Sequence, residues 1–212
     1  MQTTPPQHTD FIRIITSEEF RAEKKTYDHH QEILSGFDSI RYCKAETFAD
    51  CILGTIRVPR KSSQKNPRLT FGFYLTADSL TLIDDSGRMK KYYRKLKPLL
   101  SNAESPDSCL VFFLEYLSVN DLFYLQRIEG KLDKMENNMA NQNSEQFFQS
   151  LIKIRKRLSN FHSYYEQMLE IGDQMQTELY KDIIRNRDFW KKYSRRMDRL
   201  LDYVKLLREY AL

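Results

Sequence analysis

Two adjacent carboxylates, Asp84 and Asp85, are the residues of this sequence whose type and position could do chemistry. They follow the apolar segment SLTLI and precede Ser86 and Gly87. Carboxylate oxygens are the ligands that hard divalent cations prefer, so one interpretation of the pair is a cation site. The other is a turn in which the acids accept hydrogen bonds from nearby backbone N–H groups. The turn is favoured, because Gly87 adopts a positive φ at little cost.

Other reactive residues give no catalytic pattern. The sequence has no glycine-rich phosphate loop, no H-E-x-x-H and no nucleophile elbow, so we do not expect an enzyme. His29 and His30 are adjacent and cannot share a helix face, which favours solvated histidines over metal ligands. His162 follows the apolar position Phe161 and is expected to be a flanking residue. Three cysteines without a C-x-x-C spacing predict reduced thiols rather than a disulfide or zinc site: Cys43, Cys51 and Cys109.

Composition limits the class of protein. The chain has 212 residues, is 41% hydrophobic and contains only six Gly and six Pro, which favours packed domains built from long elements. The N-terminal MQTTPPQHTD lacks the pattern of a signal peptide. The longest apolar run, 109–114, is far shorter than the roughly 20 residues that cross a bilayer. We therefore expect the polypeptide as given to be soluble and cytoplasmic.

The positive charge is concentrated at the C-terminus. The net charge is +5, and residues 181–212 contain ten Lys and Arg against five Asp and Glu. This segment could present cations to nucleic-acid phosphates, or it could be the solvated outer face of a packed helix. The second interpretation is favoured because acids are interleaved, and a position near an anionic membrane surface is a third. The cations concerned are Lys191, Lys192, Arg195, Arg196 and Arg199.

The first half, residues 1–108, is predicted to be an α/β domain. Asp50 and Glu46 are expected on the surface of an edge strand, and Asp107 or Ser108 is expected to be the N-cap of the next helix. A basic loop, RKSSQKNPR, follows the strand region that Pro59 closes. The predicted strands are FIRII, 47–58, LTFGFYLT and SLTLID, the last two joined at Ala77–Asp78; the predicted helices are 17–27, 32–37 and 89–100.

The second half, residues 109–212, is predicted to be helical. Apolar residues recur at alternating steps of three and four from Leu125 to Met139, from Phe147 to Met175 and from Trp190 to Ala211. Such spacing keeps one seam facing a partner helix, as in coiled coils. We expect an antiparallel hairpin over about 117–175 and a further long helix over about 188–212. That last helix carries a second apolar line at Tyr203, Leu206 and Tyr210, so it is expected to touch more than one neighbour.

This order of elements resembles the cytoplasmic part of the CorA family of divalent-cation transporters, which includes the ZntB branch. The resemblance covers roughly residues 45–212. Its first part is the strand pair LTFGFYLTADSLTLIDD. The helices that follow it also match, with Glu129 and Glu136 in the positions of two family glutamates. The segments are SPDSCLVFFLEYLSVNDLFYLQRIEGKLDKMENNM, FFQSLIKIRKRLSNFHSYYEQMLEIGDQM and the terminal helix.

The resemblance implies a fold and a function. The fold is an α/β (α+β) sheet-and-helix sandwich followed by coiled-coil-like helices, the last being the start of a stalk that leads to the membrane. The implied full-length protein is a homopentamer integral to the cell membrane. This chain would be its soluble part on the cytoplasmic face, cut before the transmembrane helices. Regulatory Mg²⁺ or Co²⁺ ions would bind carboxylates between neighbouring subunits and hold the pore closed. No catalytic residue is implied.

One stretch departs from the family pattern. Many members carry an aspartate near the start of the stalk helix, where this chain has KYSRR, Lys192 to Arg196. Neither protonated lysine nor arginine can bind Mg²⁺. If cation gating is retained, other acids must serve, or salt bridges must replace the ion. The candidate metal ligands are Asp38, Asp50, Asp84 and Asp85.

The alternative is a soluble coiled-coil scaffold or a nucleic-acid-associated protein with a basic C-terminal helix. The transporter domain and the nucleic-acid-associated protein are expected to differ in DNA binding and its dependence on salt. A phosphate-binding protein loses affinity steeply as salt rises, whereas a transporter domain should not bind DNA. The balance of acids and bases on the helix leads us to expect no nucleic-acid partner.

Overall fold

A computed structural model describes residues 11–37, 40–61, 68–137 and 144–212. Its centre is a mixed sheet of five strands in the order β1-β5-β4-β3-β2. β1 runs parallel to β5, and the other neighbouring strands are antiparallel. The strands are β1 (Ile12–Ile15), β2 (Lys44–Thr47), β3 (Ile52–Arg57), β4 (Thr70–Leu75) and β5 (Leu80–Ile83).

Seven α-helices accompany the sheet within the described ranges, and they confirm the predicted α/β fold with long helices. Short 3-10 turns occur at Lys24–Thr26 and Glu178–Tyr180. The helices are α1 (Ser17–Ala22), α2 (His30–Phe37), α3 (Arg88–Leu100), α4 (Pro106–Ser118), α5 (Asp121–Asn137), α6 (Ser144–Gln174) and α7 (Arg187–Tyr210).

Helices cover both faces of the sheet. Alternate strand residues point to opposite faces, so each strand contributes side chains to two separate cores. In β4, Phe71 and Phe73 join the large core that also contains α3 to α7, whereas Tyr74 joins a smaller core with α1 and α2. Gly72 leaves room for the Phe37 ring. Any residue with a Cβ atom at position 72 would bring that atom within 2.9 Å of the ring. The large core includes residues of both halves of the chain. The predicted division into domains at 108/109 rests on the change in sequence composition and stays a prediction.

Two local predictions were wrong. Residues 47–58 were expected to form one strand, but they form the end of β2, a turn and β3, with Phe48 N donating to Cys51 O at 2.8 Å. A single strand would have been longer than most strands, and polar Asp50 is better placed in a turn. The N-cap of α4 is Ser105, whose side chain accepts from Ser108 N, and Pro106 occupies the first turn.

The long helices pack through the predicted seams. All the α7 seam residues are buried, from Trp190 to Ala211. α6 and α7 are antiparallel, since Gly172 faces Ser194 at one end and Arg155 donates to Ala211 O at the other. The stretch Pro106–Asn137 is long and apolar enough to cross a membrane, but most of its apolar window is buried in the fold, where α4 is a central core helix.

The cysteines are buried in the core, and two of the histidines contact neighbouring side chains. The three cysteines are buried free thiols, as expected. Burial raises the pKa of Cys43 and Cys109 to about 12, so neither is a ready nucleophile at neutral pH. His29 is exposed and its ring stacks on Phe48 with centroids 3.7 Å apart. His162 lies 3.1 Å from the Glu166 carboxylate on the same helix.

Candidate functional site

Asp84 is a buried turn residue. Its side chain is 3% exposed at the end of β5. Oδ1 accepts from Ser86 N at 2.9 Å and from the Ser86 hydroxyl, while Oδ2 accepts from Met89 N at 2.7 Å. The carboxylate therefore satisfies N–H groups at the start of α3, where negative charge is favourable. Gly87 has φ 67°, which supports the turn interpretation of this segment.

Asp85 has a different partner. Its two oxygens accept from Ser17 N at 2.7 Å and from the Ser17 hydroxyl at 2.8 Å. Ser17 is the first residue of α1, so the contact ties this helix to the end of β5. Both aspartates at this end of the sheet thus already serve as hydrogen-bond acceptors.

The predicted metal ligands that the structure describes, Asp50, Asp84 and Asp85, do not converge on one site within the chain. Asp50 lies in the turn before β3, whose first residue Ile52 pairs with Leu75. Asp84 follows Ile83 at the opposite end of the sheet, about 10 Å or more away at 3.3 Å per residue. Asp38 lies outside the described residues. In the parts of the chain that the structure describes, no group of three or more His, Cys, Asp or Glu side chains could hold a metal ion.

The hydrogen bonds of Asp84 give a testable expectation. Asp84→Ala should lower the free energy of unfolding by about 2 kcal/mol, because it removes a cap and leaves buried N–H groups without an acceptor. Asp50→Ala, an exposed change in a turn, should cost less than about 0.5 kcal/mol. Urea unfolding of both variants measures the difference. Equal stabilities would show that the Asp84 contacts contribute little.

The basic residues of α7 divide into two groups. Lys191, Arg195 and Arg199 are exposed. Arg196 is partly buried and donates to Ser118 O at 3.1 Å, at the C-terminal end of α4. Lys192 lies over the Phe189 ring, 5.7 Å from its centroid. Arg196 therefore has a structural contact that the sequence did not indicate.

The start of α7 is held against α4 by Asp107. This carboxylate is fully buried, and its Oδ2 accepts from Asn186 N at 3.2 Å and from the indole Nε1 of Trp190 at 3.3 Å. The sequence prediction of a helix cap for Asp107 missed this contact. The partners are about 80 residues apart in sequence, and only the packing of α7 on α4 brings them together.

A second buried carboxylate, Asp121, joins α5 to α6 and to the basic loop. Asp121 is 1% exposed, forms an ion pair with Lys61 and accepts from the Tyr165 hydroxyl at 2.9 Å. Lys61 Nζ also donates to Leu117 O at 3.0 Å. Burial, and then the Asp121 charge, raise the pKa of Tyr165 well above its ordinary value. This cluster locks three parts of the helical core together.

A row of acids on α5 contacts α7 through tyrosines. The Tyr203 hydroxyl donates to Glu129, and the Tyr210 hydroxyl donates to Asp133 at 2.9 Å and to Glu136 at 2.6 Å. Burial, followed by the hydrogen bond to Glu129, raises the pKa of Tyr203 to about 12. The second line on α7 thus does touch another neighbour, although Leu206 between the two tyrosines is exposed.

A comparison with protein-family models identifies the family. Residues 16–211 match the model of the CorA-like Mg²⁺ transporter protein. The match covers strands β2 to β5 and all seven described helices, including the whole of α7, and it begins just after β1. The chain therefore belongs to the CorA-like Mg²⁺ transporter family. No curated protein sequence matches the chain.

Solved structures confirm the fold at low sequence identity. The complete CorA magnesium transporter from Methanocaldococcus jannaschii superimposes with a TM-score of 0.73 at 18% identity, over 94% of this chain and 65% of that one. The ZntB cytoplasmic domain from Vibrio parahaemolyticus gives 0.70 at 14%, over 92% and 79%. Full-length CmaX gives 0.70 at 15%, over 92% and 62%. The chain thus spans less than two thirds of each of the two complete proteins.

Proposed function

We propose that this chain is the cytoplasmic regulatory part of a CorA-like transporter of Mg²⁺ or Co²⁺. It would sense cytoplasmic divalent cations and pass their state to a pore formed outside these residues. The observation that carries the proposal is the family match over 16–211. The likeness to a ZntB cytoplasmic domain over 79% of that domain supports a position on the cytoplasmic face of the membrane.

α7 is the element suited to pass on a conformational change. It is one uninterrupted helix from Arg187 to Tyr210, roughly 36 Å long at 1.5 Å per residue. Its buried side packs along α6, and side-chain hydrogen bonds join it to α4 through Asp107 and to α5 through Tyr203. A displacement of any of these helices would therefore displace α7, because packed helices move as units.

The regulatory ion would bind between copies of the chain. The described part of a single chain has no cluster of three candidate ligands, and Asp84 and Asp85 already accept hydrogen bonds. An exposed acid such as Asp50 would instead be completed by carboxylates of a neighbouring subunit in a homopentamer. Loss of the ion would leave like charges that repel, which shifts the equilibrium toward a splayed assembly.

Ion flux tests the transport function. The natural protein that carries this chain would be placed in liposomes, with a Mg²⁺ indicator inside and empty liposomes as the control. We expect Mg²⁺ or Co²⁺ uptake that falls as the concentration of the ion on the cytoplasmic side rises. Absence of flux for both ions would overturn the transport proposal. Flux without any dependence on the cytoplasmic ion would overturn the sensing role alone.

A further inference from the structure

A basic hollow lies between α6 and the described residues at the two ends of the β3–β4 connection, Pro59, Arg60 and Arg68. Its volume is about 250 Å³. No carboxylate lines it, whereas five cationic side chains do. Its polar lining consists of Arg60, Arg68, Lys153, Lys156, Arg157 and Asn160. This site is separate from the acids considered as metal ligands and from the exposed face of α7.

The five cations have no acidic partner among the residues that the structure describes. None of them forms an ion pair within the described parts of the chain, although exposed ion pairs do occur elsewhere in the molecule. Between residues 57 and 68 the sequence contains five Lys and Arg and no acid. Of these, Lys61 forms an ion pair with Asp121. Arg60 and Arg68, together with the three cations of α6, leave an excess of positive charge around a concave surface, which concentrates anions.

Like-charge crowding is visible at Arg68. Burial, followed by the charges of Arg57 and Arg60, lowers the pKa of this guanidinium. Proximity of several cations costs free energy unless an anion is bound between them. The chain itself supplies no such anion in the described ranges.

A smaller hollow of about 90 Å³ adjoins the first and extends it. The two share Pro59, Arg68 and Asn160, and the second adds Arg57 and Ser163 to the lining. Guanidinium, amide and hydroxyl donors are therefore arranged along one continuous surface. Arginines bind phosphate oxygens in a bidentate way, and lysines add point charges. The larger hollow has room for roughly eight waters at about 30 Å³ each, which is more than a single phosphate needs.

We propose that this basic hollow binds a soluble anion with two or more linked phosphate groups, such as a di- or triphosphate. A small concave site suits a compact anion better than an extended nucleic acid, which needs a long basic track with stacking side chains. The proposal goes beyond the transport function and does not rest on it, because the lining residues all belong to one chain and involve no divalent cation.

Calorimetric titration of the 212-residue chain with sodium triphosphate, without divalent cations, tests the site. We expect saturable binding that weakens as salt rises, because charge attraction is screened. Orthophosphate should bind at least about tenfold more weakly, since it reaches fewer donors. ATP should bind within about threefold of triphosphate, because the lining recognises phosphates. Orthophosphate affinity equal to that of triphosphate would overturn the requirement for linked phosphates.

Matched charge changes locate the site. Arg60→Gln/Arg68→Gln should weaken triphosphate binding at least about tenfold. Lys191→Gln/Arg195→Gln removes the same charge from exposed positions of α7 and should change the affinity by less than about twofold. Lys153→Gln/Lys156→Gln, on an exposed helix face, provides a second pocket variant that should not disturb folding. Equal losses in all three variants would overturn the proposal. A pocket variant that changes the oligomeric state but not triphosphate affinity would instead assign the hollow to a contact between subunits.

Discussion

Replacing Asp121 by alanine is expected to lower the free energy of unfolding by about 3–5 kcal/mol, because it leaves a charge near the core without its partner. Lys61 would lose the carboxylate that it pairs with, and the Tyr165 hydroxyl would lose its acceptor. Lys61 is 30% exposed, so part of its charge can return to water, which places the effect at the lower end of the range. Urea unfolding followed by far-ultraviolet circular dichroism measures the change.

Two variants separate the buried pair from a general effect of removing acids. Asp133→Ala removes an exposed carboxylate from the same helix and should cost less than about 1 kcal/mol. The double change Lys61→Met/Asp121→Leu removes both charges and should recover much of the loss, because apolar replacements of a buried pair are often neutral. An Asp121→Ala variant as stable as the Asp133→Ala variant would refute the structural role of the cluster.

The second large effect is expected where α6 crosses α7. A Cβ atom at Gly172 would overlap the Ser194 hydroxyl and lie 3.4 Å from the Tyr193 ring. Gly172→Leu should therefore cost about 3 kcal/mol, because overpacking forces the two helices apart. The same change should weaken the hydrogen bond that Gln176 Nε2 donates to the Ser194 hydroxyl oxygen at 2.9 Å. Thermal unfolding provides the measurement.

The chain supplies a matched control for this substitution. Gly130 lies within α5, and a Cβ there would meet no atom within 4 Å. Gly130→Leu should thus stabilise the protein by about 0.5–1 kcal/mol through helix propensity alone. In a protein that already carries Ser194→Ala, the hydroxyl is gone, so the further change Gly172→Ala should raise the free energy of unfolding. If Gly172→Leu stabilised the protein as Gly130→Leu does, the close packing of α6 and α7 would be wrong.

The sequence predicted the elements whose pattern is local. Alternating apolar steps identified the seams of α6 and α7, and every seam residue of α7, from Trp190 to Ala211, is buried. The turn at Ala77–Asp78 and the positive φ at Gly87 also follow from short-range turn chemistry. The turn between β2 and β3 was missed, because an apolar pattern interrupted by one polar residue fits both a strand and a hairpin.

Contacts between distant residues were not predictable from spacing. Asp121 and Lys61 are 60 positions apart, and nothing in the basic loop distinguishes Lys61 from its neighbours. The same holds for Asp107 and Trp190. The resemblance to the family gave the class of protein, which the family match confirms. The cation ligands stay a prediction from the sequence: Asp38, Asp50, Asp84 and Asp85. An ion shared between subunits, as we propose, would leave no complete cluster in one chain.

Divalent cations should change the state of α7 if the chain senses them as we propose, and Trp190 offers a direct measurement. It is the sole tryptophan of the sequence, it is buried, and its indole contacts Asp107 at the junction of α7 with α4. We predict that titration with Mg²⁺ to millimolar concentration changes the tryptophan fluorescence and the light scattering together, in a saturable way. Potassium chloride at equal ionic strength should not do so. No change in either signal up to tens of millimolar Mg²⁺ would contradict cation sensing by this chain.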